Sequence, residues 1–100
     1  MPDMSAAAIV LYVRAWCPYC TRARDLLTKK GVHFEQIDIG ERPEKGAEMI
    51  QRSRRRTVPQ IFIGEHHVGG SDELQALEDA GELDALLRRH GISGDVSARG

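Results

Sequence analysis

Long hydrophobic runs are absent from this sequence of 100 residues. The longest apolar stretch, residues 6–13, is far too short to span a lipid bilayer. The segment before it carries Asp3 but neither Lys nor Arg, so it lacks the positive charge with which a secretory signal begins. We therefore expect no membrane partner and a cytoplasmic location, where a reducing environment keeps thiols free.

A large excess of charge of one sign is also absent. The sequence has 14 Lys and Arg residues and 15 Asp and Glu residues, which gives a net charge of -1. This balance does not favour a nucleic-acid partner. No internal repeat or low-complexity tract occurs, and a chain of 100 residues is long enough for one compact domain but not for two. We expect a single monomeric domain over 1–100, with a core at about 8–90 and a flexible tail at 91–100.

The hydrophobic pattern predicts an α/β domain. Four segments are rich in β-branched or alternating apolar residues, as strands are, and they lie at residues 8–13, 33–39, 59–64 and 66–68. Apolar spacing and end signals predict helices at residues 18–30 and 42–54, and a helical region from Asp72 onward that Gly81 interrupts. The order βαβ, α, ββα implies one parallel strand pair and one hairpin. We therefore expect a four-stranded mixed sheet with helices on both faces.

Individual residues refine these helices. Pro18 suits the first turn of a helix, where its missing N–H is not needed. In the second helix we expect Ala47 and Ile50 to point inward. At the start of the third helix, Asp72 and Gln75 have the spacing of a loose capping box.

Cys17 and Cys20 are the only cysteines, and they form a Cys-x-x-Cys pair. Such a pair serves as a structural disulfide, as half of a zinc site, as an iron–sulfur ligand or as a dithiol that cycles. Zinc needs about four ligands, and the adjacent His66 and His67 would point to opposite faces of a strand. A disulfide that closes so short a loop adds little stability. The pattern therefore favours a cycling dithiol and no metal site.

Its position makes Cys17 the expected nucleophile. It lies where a predicted strand ends and a predicted helix begins, and a helix N-terminus favours a thiolate through its free N–H groups and partial positive charge. We expect its pKa to lie well below the ~8.5 of a free cysteine. Cys20 follows one turn later on the same side, where it can resolve a mixed disulfide with a less exposed and less acidic thiol. Arg14 can add positive potential near Cys17.

Four short segments occur in a specific order, namely CPYC at 17–20, TVP at 57–59, QIFIG at 60–64 and GGSD at 69–72. This combination resembles the dithiol glutaredoxin family over about residues 9–87. The resemblance implies a thioredoxin-like fold and a cis peptide bond before Pro59. It also implies glutathione as a co-substrate, with no permanently bound cofactor.

The resemblance further implies which residues bind glutathione, a molecule with two carboxylates, an ammonium group and a thiol. A site for it needs cations, main-chain donors and an acid. The implied residues are Arg14, Tyr19, Thr57, Val58, Pro59, Gly70, Ser71 and Asp72. Arg14 stands where the family usually has Lys. The arginines at 52–56 have two possible roles. They attract anionic glutathione or an acidic partner protein, or they form a solvated basic face.

The expected activity is thiol–disulfide exchange that depends on glutathione. Cys17 attacks disulfide-containing or glutathionylated proteins, and Cys20 resolves the mixed disulfide formed with a protein disulfide. Two alternatives stay open. A dimer can hold a [2Fe–2S] cluster with two glutathiones, although members that do so more often have a smaller residue than Pro18. A glutaredoxin-like electron donor can instead be recharged by thioredoxin reductase.

Overall fold

The structure is a computed structural model that describes residues 8–92. Within this range the chain forms four strands and four helices in the order βαβαββαα. The strands are β1 (Ile9–Val13), β2 (Glu35–Asp38), β3 (Gln60–Ile63) and β4 (His66–Gly69). The helices are α1 (Pro18–Lys29), α2 (Pro43–Ser53), α3 (Ser71–Asp79) and α4 (Leu83–Arg89).

Strand β1 lies inside the sheet, whose order is β2-β1-β3-β4. It pairs in parallel with β2 and antiparallel with β3, so that Tyr12 is aligned with Ile37 on one side and with Gln60 on the other. Strand β4 completes the sheet as the antiparallel partner of β3, in the predicted hairpin. The predicted four-stranded mixed sheet is therefore confirmed.

Alternation of side chains along the strands divides the core into two layers. Leu11 belongs to the layer that packs under α1, α3 and α4, in which Leu27 of α1 is fully buried. Its neighbour Tyr12 belongs to the opposite layer, together with Phe62 and with Met49 of α2. The sheet thus carries helices on both faces, as predicted, and its strand β1 is covered on both sides.

Helix α2 presents a different face to the sheet than the sequence predicts. Ala47 is exposed, whereas Met49 is fully buried and Ser53 is also buried. Gly46 faces the sheet as well, since a Cβ added to it would lie 3.5 Å from the Cβ of Ile39. Residues spaced by three, four and seven share one side of a helix. The expected inward position of Ala47 is wrong, because the true inward stripe includes a glycine and a serine that a search for apolar side chains overlooks.

Three other helix signals agree with the structure. Pro18 is the first residue of α1. Ile50 of α2 is half-buried and packs on the second core layer. Gly81 separates α3 from α4 with a φ of 74°, a left-handed conformation that glycine adopts without a steric penalty.

A cluster of charges ties together the ends of three helices. Lys30 caps the C-terminus of α1, and its Nζ lies 2.6 Å from a carboxylate oxygen of Glu78 in α3 and 3.0 Å from one of Asp84 in α4. The Lys30 side chain is largely buried, so solvent screens these pairs less than it does at an open surface. The cluster holds α1 and α3 together at their C-terminal ends. It thereby helps to fix the position of one N-terminus relative to the other.

The described part of the chain ends against the core. Ile92 packs on the layer that contains α4, and its N–H donates to the Leu87 carbonyl oxygen at 2.9 Å. Residues 93–100 of the predicted tail, like residues 1–7, lie outside the described residues, so the single domain over 1–100 stays a prediction. From residue 8 to residue 92, no helix has the length and apolar character needed to cross a membrane.

Replacement of Met49 tests the face that α2 presents to the sheet. Met49→Ala removes a fully buried side chain, and we expect the free energy of unfolding to fall by about 2–5 kcal/mol. Ala47→Ser changes an exposed position of the same helix and should alter that free energy by less than about 0.5 kcal/mol. Urea unfolding followed by circular dichroism measures both effects. A larger loss for Ala47→Ser than for Met49→Ala would contradict the assignment.

Candidate active site

Cys17 caps the N-terminus of α1. Its backbone is extended, with φ of -110° and ψ of 106°, and its Sγ accepts a hydrogen bond from the N–H of Cys20 at 3.2 Å. The residue before it, Trp16, has a φ of 60° in the short connection from β1. The predicted position of Cys17 between a strand and a helix is confirmed. Because a helix leaves its first N–H groups without internal partners, the sulfur lies where main-chain donors are concentrated.

Cys20 has different surroundings from Cys17. Its side chain is 2% exposed, whereas Cys17 is half-buried, and both are free thiols. Burial, followed by the hydrogen bond with Cys17, raises the pKa of the Cys20 thiol to about 12, while a main-chain hydrogen bond from Arg14 opposes this shift. Cys20 is therefore the buried and weakly acidic thiol that the sequence predicts.

The segment from Thr57 to Pro59 faces Cys17. The Cys17 Sγ lies 4.0 Å from the carbonyl oxygen of Val58, and the Val58–Pro59 peptide bond is cis, as the resemblance implies. This segment and the start of α3 form a cleft of about 150 Å³, lined by Tyr19, Arg55, Thr57, Val58, Pro59, Gly70, Ser71, Asp72 and Glu73. All of the residues predicted to bind glutathione except Arg14 therefore line one cleft.

Arg14 lies in a different place. Together with Cys17 it lines a second cleft of about 380 Å³, whose walls also include Trp16 and Arg24. Trp16 is 98% exposed, so it forms the rim of this cleft and does not pack in the core. The structure thus brings Arg14 near Cys17 but outside the cleft that the other predicted residues share.

Helix α3 begins at Ser71, one residue earlier than predicted, and a different side chain caps it. Gly70 is the N-cap residue, and its N–H donates to the Glu73 carboxylate at 2.7 Å. The expected capping box of Asp72 and Gln75 is wrong, because Asp72 already lies within the first turn and is exposed. The sequence did contain the correct signal, since Glu73 stands three residues after Gly70, the spacing at which an acid reaches back to the N-cap.

Glu73 also orients an arginine in the cleft that includes Thr57. Its Oε2 lies 3.1 Å from Nη1 of Arg55. The hydrogen bond from the Gly70 N–H, and then that from Arg55, lower the pKa of the Glu73 carboxyl, so it is ionised at neutral pH. The sequence analysis offers the arginines at 52–56 as a group but cannot single out Arg55, because nothing in that run distinguishes one arginine from another. It misses Glu73 as a cleft residue.

Arg52 belongs to a separate cluster on the α2 side of the sheet. Its guanidinium lies 4.0 Å from the centre of the Phe62 ring, within the range of a cation–π contact. It also donates a hydrogen bond to the Tyr12 hydroxyl at 2.9 Å, and Tyr12 donates in turn to Glu48. Arg52 therefore holds α2 on the sheet.

The adjacent histidines have separate surroundings, as the strand geometry predicts. His66 is exposed, whereas the ring of His67 stacks on Phe62 with the two ring centres 4.8 Å apart. In the portion of the chain that the structure describes, no group of three or more His, Cys, Asp or Glu side chains is arranged to hold a metal ion.

Comparison with known proteins decides the family. The glutaredoxin family model matches residues 9–68. The chain belongs to the glutaredoxin family. A glutaredoxin of Pseudomonas aeruginosa is 57% identical over 79 residues, which cover 79% of this chain and 94% of that protein. Glutaredoxin 3 of Escherichia coli K12 is 50% identical over 82 residues, which cover 82% of this chain and 99% of that protein.

Solved glutaredoxin structures share the fold. A solution structure of glutaredoxin from Brucella melitensis matches with a TM-score of 0.71 and 53% identity, over 86% of this chain and 94% of that chain. A crystal structure of a buckwheat glutaredoxin–glutathione complex matches with a TM-score of 0.77 and 28% identity, over 85% of this chain and 80% of that chain. The predicted thioredoxin-like fold is confirmed, and this glutaredoxin is a thiol–disulfide oxidoreductase.

The two thiols of this glutaredoxin should differ in alkylation. Thiolates react with iodoacetamide far faster than thiols do. Because the pKa of Cys20 is raised to about 12 and its side chain is buried, it stays protonated and shielded at about pH 8. We expect mass spectrometry to find a single adduct on the folded protein, at Cys17, and adducts on both cysteines after unfolding in guanidinium. Equal labelling of Cys20 in the folded protein would overturn this assignment.

Proposed function

We propose that this glutaredoxin, as a cytoplasmic monomer, reduces protein disulfides and protein–glutathione mixed disulfides, with glutathione as its co-substrate. The observation that carries the proposal is the position of the Cys17 sulfur, 4.0 Å from the Val58 carbonyl oxygen in the wall of the smaller cleft. A cleft next to a sulfur nucleophile suits the binding of one half of a disulfide. The buckwheat glutaredoxin of the same fold was solved as a complex with glutathione, which supports the choice of ligand.

The charged groups of the cleft complement those of glutathione. The first N–H groups of α3, at Ser71 and Asp72, suit the γ-glutamyl carboxylate. The exposed carboxylate of Asp72 is available to the ammonium group. The guanidinium of Arg55 suits the glycine carboxylate, because arginine can form two parallel hydrogen bonds with such a group.

The peptide part of glutathione needs main-chain partners, which Thr57 and Val58 offer in the way that an added strand would. Tyr19 is 52% exposed and contributes an aromatic wall, while Pro59 and Gly70 complete the lining. Arg14 lies in the other cleft, so we assign it the role of raising the positive potential near Cys17 and not that of holding a carboxylate beside Val58.

The proposed cycle with a glutathionylated protein has two exchange steps. The Cys17 thiolate attacks the glutathione sulfur of the mixed disulfide, so a bond between Cys17 and glutathione forms and the bond to the protein sulfur breaks. The protein leaves as a thiolate and takes up a proton. A second glutathione thiolate then attacks the glutathione sulfur on Cys17, which releases oxidised glutathione and restores the Cys17 thiolate.

A protein disulfide takes a second route that uses Cys20. Attack by Cys17 gives a mixed disulfide with the protein and releases one protein thiol. Cys20 lies one helical turn from Cys17, close enough for its own N–H to donate to the Cys17 sulfur at 3.2 Å. Its thiolate attacks the Cys17 sulfur and releases the second protein thiol. Two glutathione molecules reduce the resulting Cys17–Cys20 disulfide and leave as oxidised glutathione.

Reduction of a peptide–glutathione mixed disulfide, coupled to glutathione reductase and NADPH, tests the proposal. We expect turnover by the wild-type protein and none by Cys17→Ser, which lacks the nucleophile. Cys20→Ser should keep this activity, because the resolving thiol takes no part in the glutathionylated route, and should lose the reduction of protein disulfides. Substantial turnover by Cys17→Ser would refute the mechanism.

A parallel assay with thioredoxin reductase in place of glutathione separates the proposal from the two alternatives. Turnover only with glutathione supports it. Turnover only with thioredoxin reductase would refute the dependence on glutathione, although Cys17 and Cys20 would keep their roles. A [2Fe–2S] dimer would instead give a brown colour after anaerobic purification and elute at twice the mass of the chain.

Arg55 should contribute more to glutathione binding than an exposed arginine outside the cleft. Arg55→Ala removes the proposed partner of the glycine carboxylate in the bound glutathione half, so we expect the apparent KM for the peptide–glutathione mixed disulfide to rise about tenfold, which corresponds to about 1.4 kcal/mol. Arg89→Ala changes an exposed arginine of α4 and serves as the matched control, with an unchanged KM. Steady-state rates at varied concentration of the peptide–glutathione mixed disulfide, with glutathione held constant, measure both. The same KM in the two variants would show that Arg55 has no part in binding.

A further inference from the structure

Gln60, the first residue of β3, is a buried polar residue that the proposed mechanism does not use. It is fully shielded from solvent. Its Nε2 donates to the main-chain carbonyl oxygen of Thr57 at 3.0 Å and to the Thr57 hydroxyl at 3.2 Å. Its Oε1 lies 2.7 Å from Nε2 of His67 in β4. The buried amide therefore links His67 to the wall of the cleft.

The direction of these hydrogen bonds follows from the chemistry of the atoms. A main-chain carbonyl only accepts, so the Gln60 atom that faces Thr57 is the amide nitrogen. The amide oxygen then faces His67, which makes His67 Nε2 the donor. Burial lowers the pKa of His67, so its ring is neutral at neutral pH and carries its single proton on Nε2. His67 thus sets the orientation of the Gln60 amide.

His67 is itself held in place by the sheet. Its ring stacks on Phe62, with ring centres 4.8 Å apart and an angle of 28° between the planes. Phe62 is the aligned residue of β3, and the Arg52 guanidinium lies over its ring. His67, the donor to Gln60, is therefore fixed on the α2 side of the sheet. It is not one of the residues that line the cleft with Thr57 and Val58.

We propose that His67 and Gln60 are positioning residues that orient the Thr57–Val58 peptide for glutathione. In a planar trans peptide unit, the Thr57 carbonyl and the Val58 N–H point in opposite directions. The Gln60 amide holds the carbonyl on the buried side, and so directs the Val58 N–H away from it. The inference rests on the proposed function, in which the main chain of Val58 is a partner of bound glutathione.

Substitution of the donor tests this inference in the full-length protein. His67→Phe keeps a ring that can stack on Phe62 but leaves Gln60 without its donor. We expect the apparent KM for the peptide–glutathione mixed disulfide to rise about five- to tenfold, while kcat and the rate of Cys17 alkylation change by less than about twofold. His67→Gln carries an amide N–H at a similar reach and should restore the KM. His66→Phe alters the adjacent exposed residue and should leave the KM unchanged.

Specific outcomes would overturn the positioning role. One is an unchanged KM in His67→Phe, and another is an equal rise in His67→Phe and His67→Gln, which differ in the donor. Gln60→Met removes the amide itself and must raise the KM at least as much; lower resistance to urea with an unchanged KM would mean that Gln60 serves stability alone. Absence of wild-type turnover with glutathione would refute the proposed function, whereas wild-type turnover with unchanged KM values in the variants would refute only the positioning role.

Discussion

The antiparallel pairing of β1 with β3 is the constraint on which the site depends. Because these strands run in opposite directions, the end of β1 and the start of β3 lie at the same edge of the sheet. With Tyr12 aligned to Gln60, the connection to Cys17 and the segment that contains Val58 become neighbours, although they are far apart in sequence. Strand β4 runs antiparallel to β3 and ends at the same edge, so the N-terminus of α3 joins them. The register of two strand pairs thus brings Cys17 and the cleft together.

At that edge the protein combines main-chain donors with a few charged side chains. Helices α1 and α3 both begin there, and Gly70 already donates its N–H to Glu73. An acid in this position would repel an anionic ligand if it stood alone. Its ion pair with Arg55 offsets that repulsion, and the guanidinium of Arg55, which lines the cleft, has further N–H donors that this pair does not use. The carboxylate of Glu73 therefore caps the N-terminus of α3 and also orients the Arg55 guanidinium, which comes from a distant part of the sequence.

The sequence predicts the features that depend on local signals, namely the order of strands and helices along the chain, the junction at Cys17 and the greater burial of Cys20 relative to Cys17. It does not predict the face of α2, because Gly46 contributes to packing through the lack of a side chain. It does not single out Arg55 either. Which arginine reaches the cleft depends on where α2 ends. The helix ends at Arg54, whose φ of 62° is rare for a residue with a side chain. The link from Gln60 to His67 crosses two strands, so it emerges only from their register. The roles assigned in glutathione binding stay predictions.

Burial of Cys20 has a kinetic consequence for the proposed cycle. A shielded sulfur attacks rarely, so in the proposed cycle a mixed disulfide at Cys17 would persist long enough for thiols from solution to compete with Cys20 for it. In that cycle, the concentration of free glutathione would decide how each intermediate is shared between the intramolecular and the intermolecular route. One buried side chain would in this way make the fate of a bound substrate respond to the cell's supply of reduced thiol.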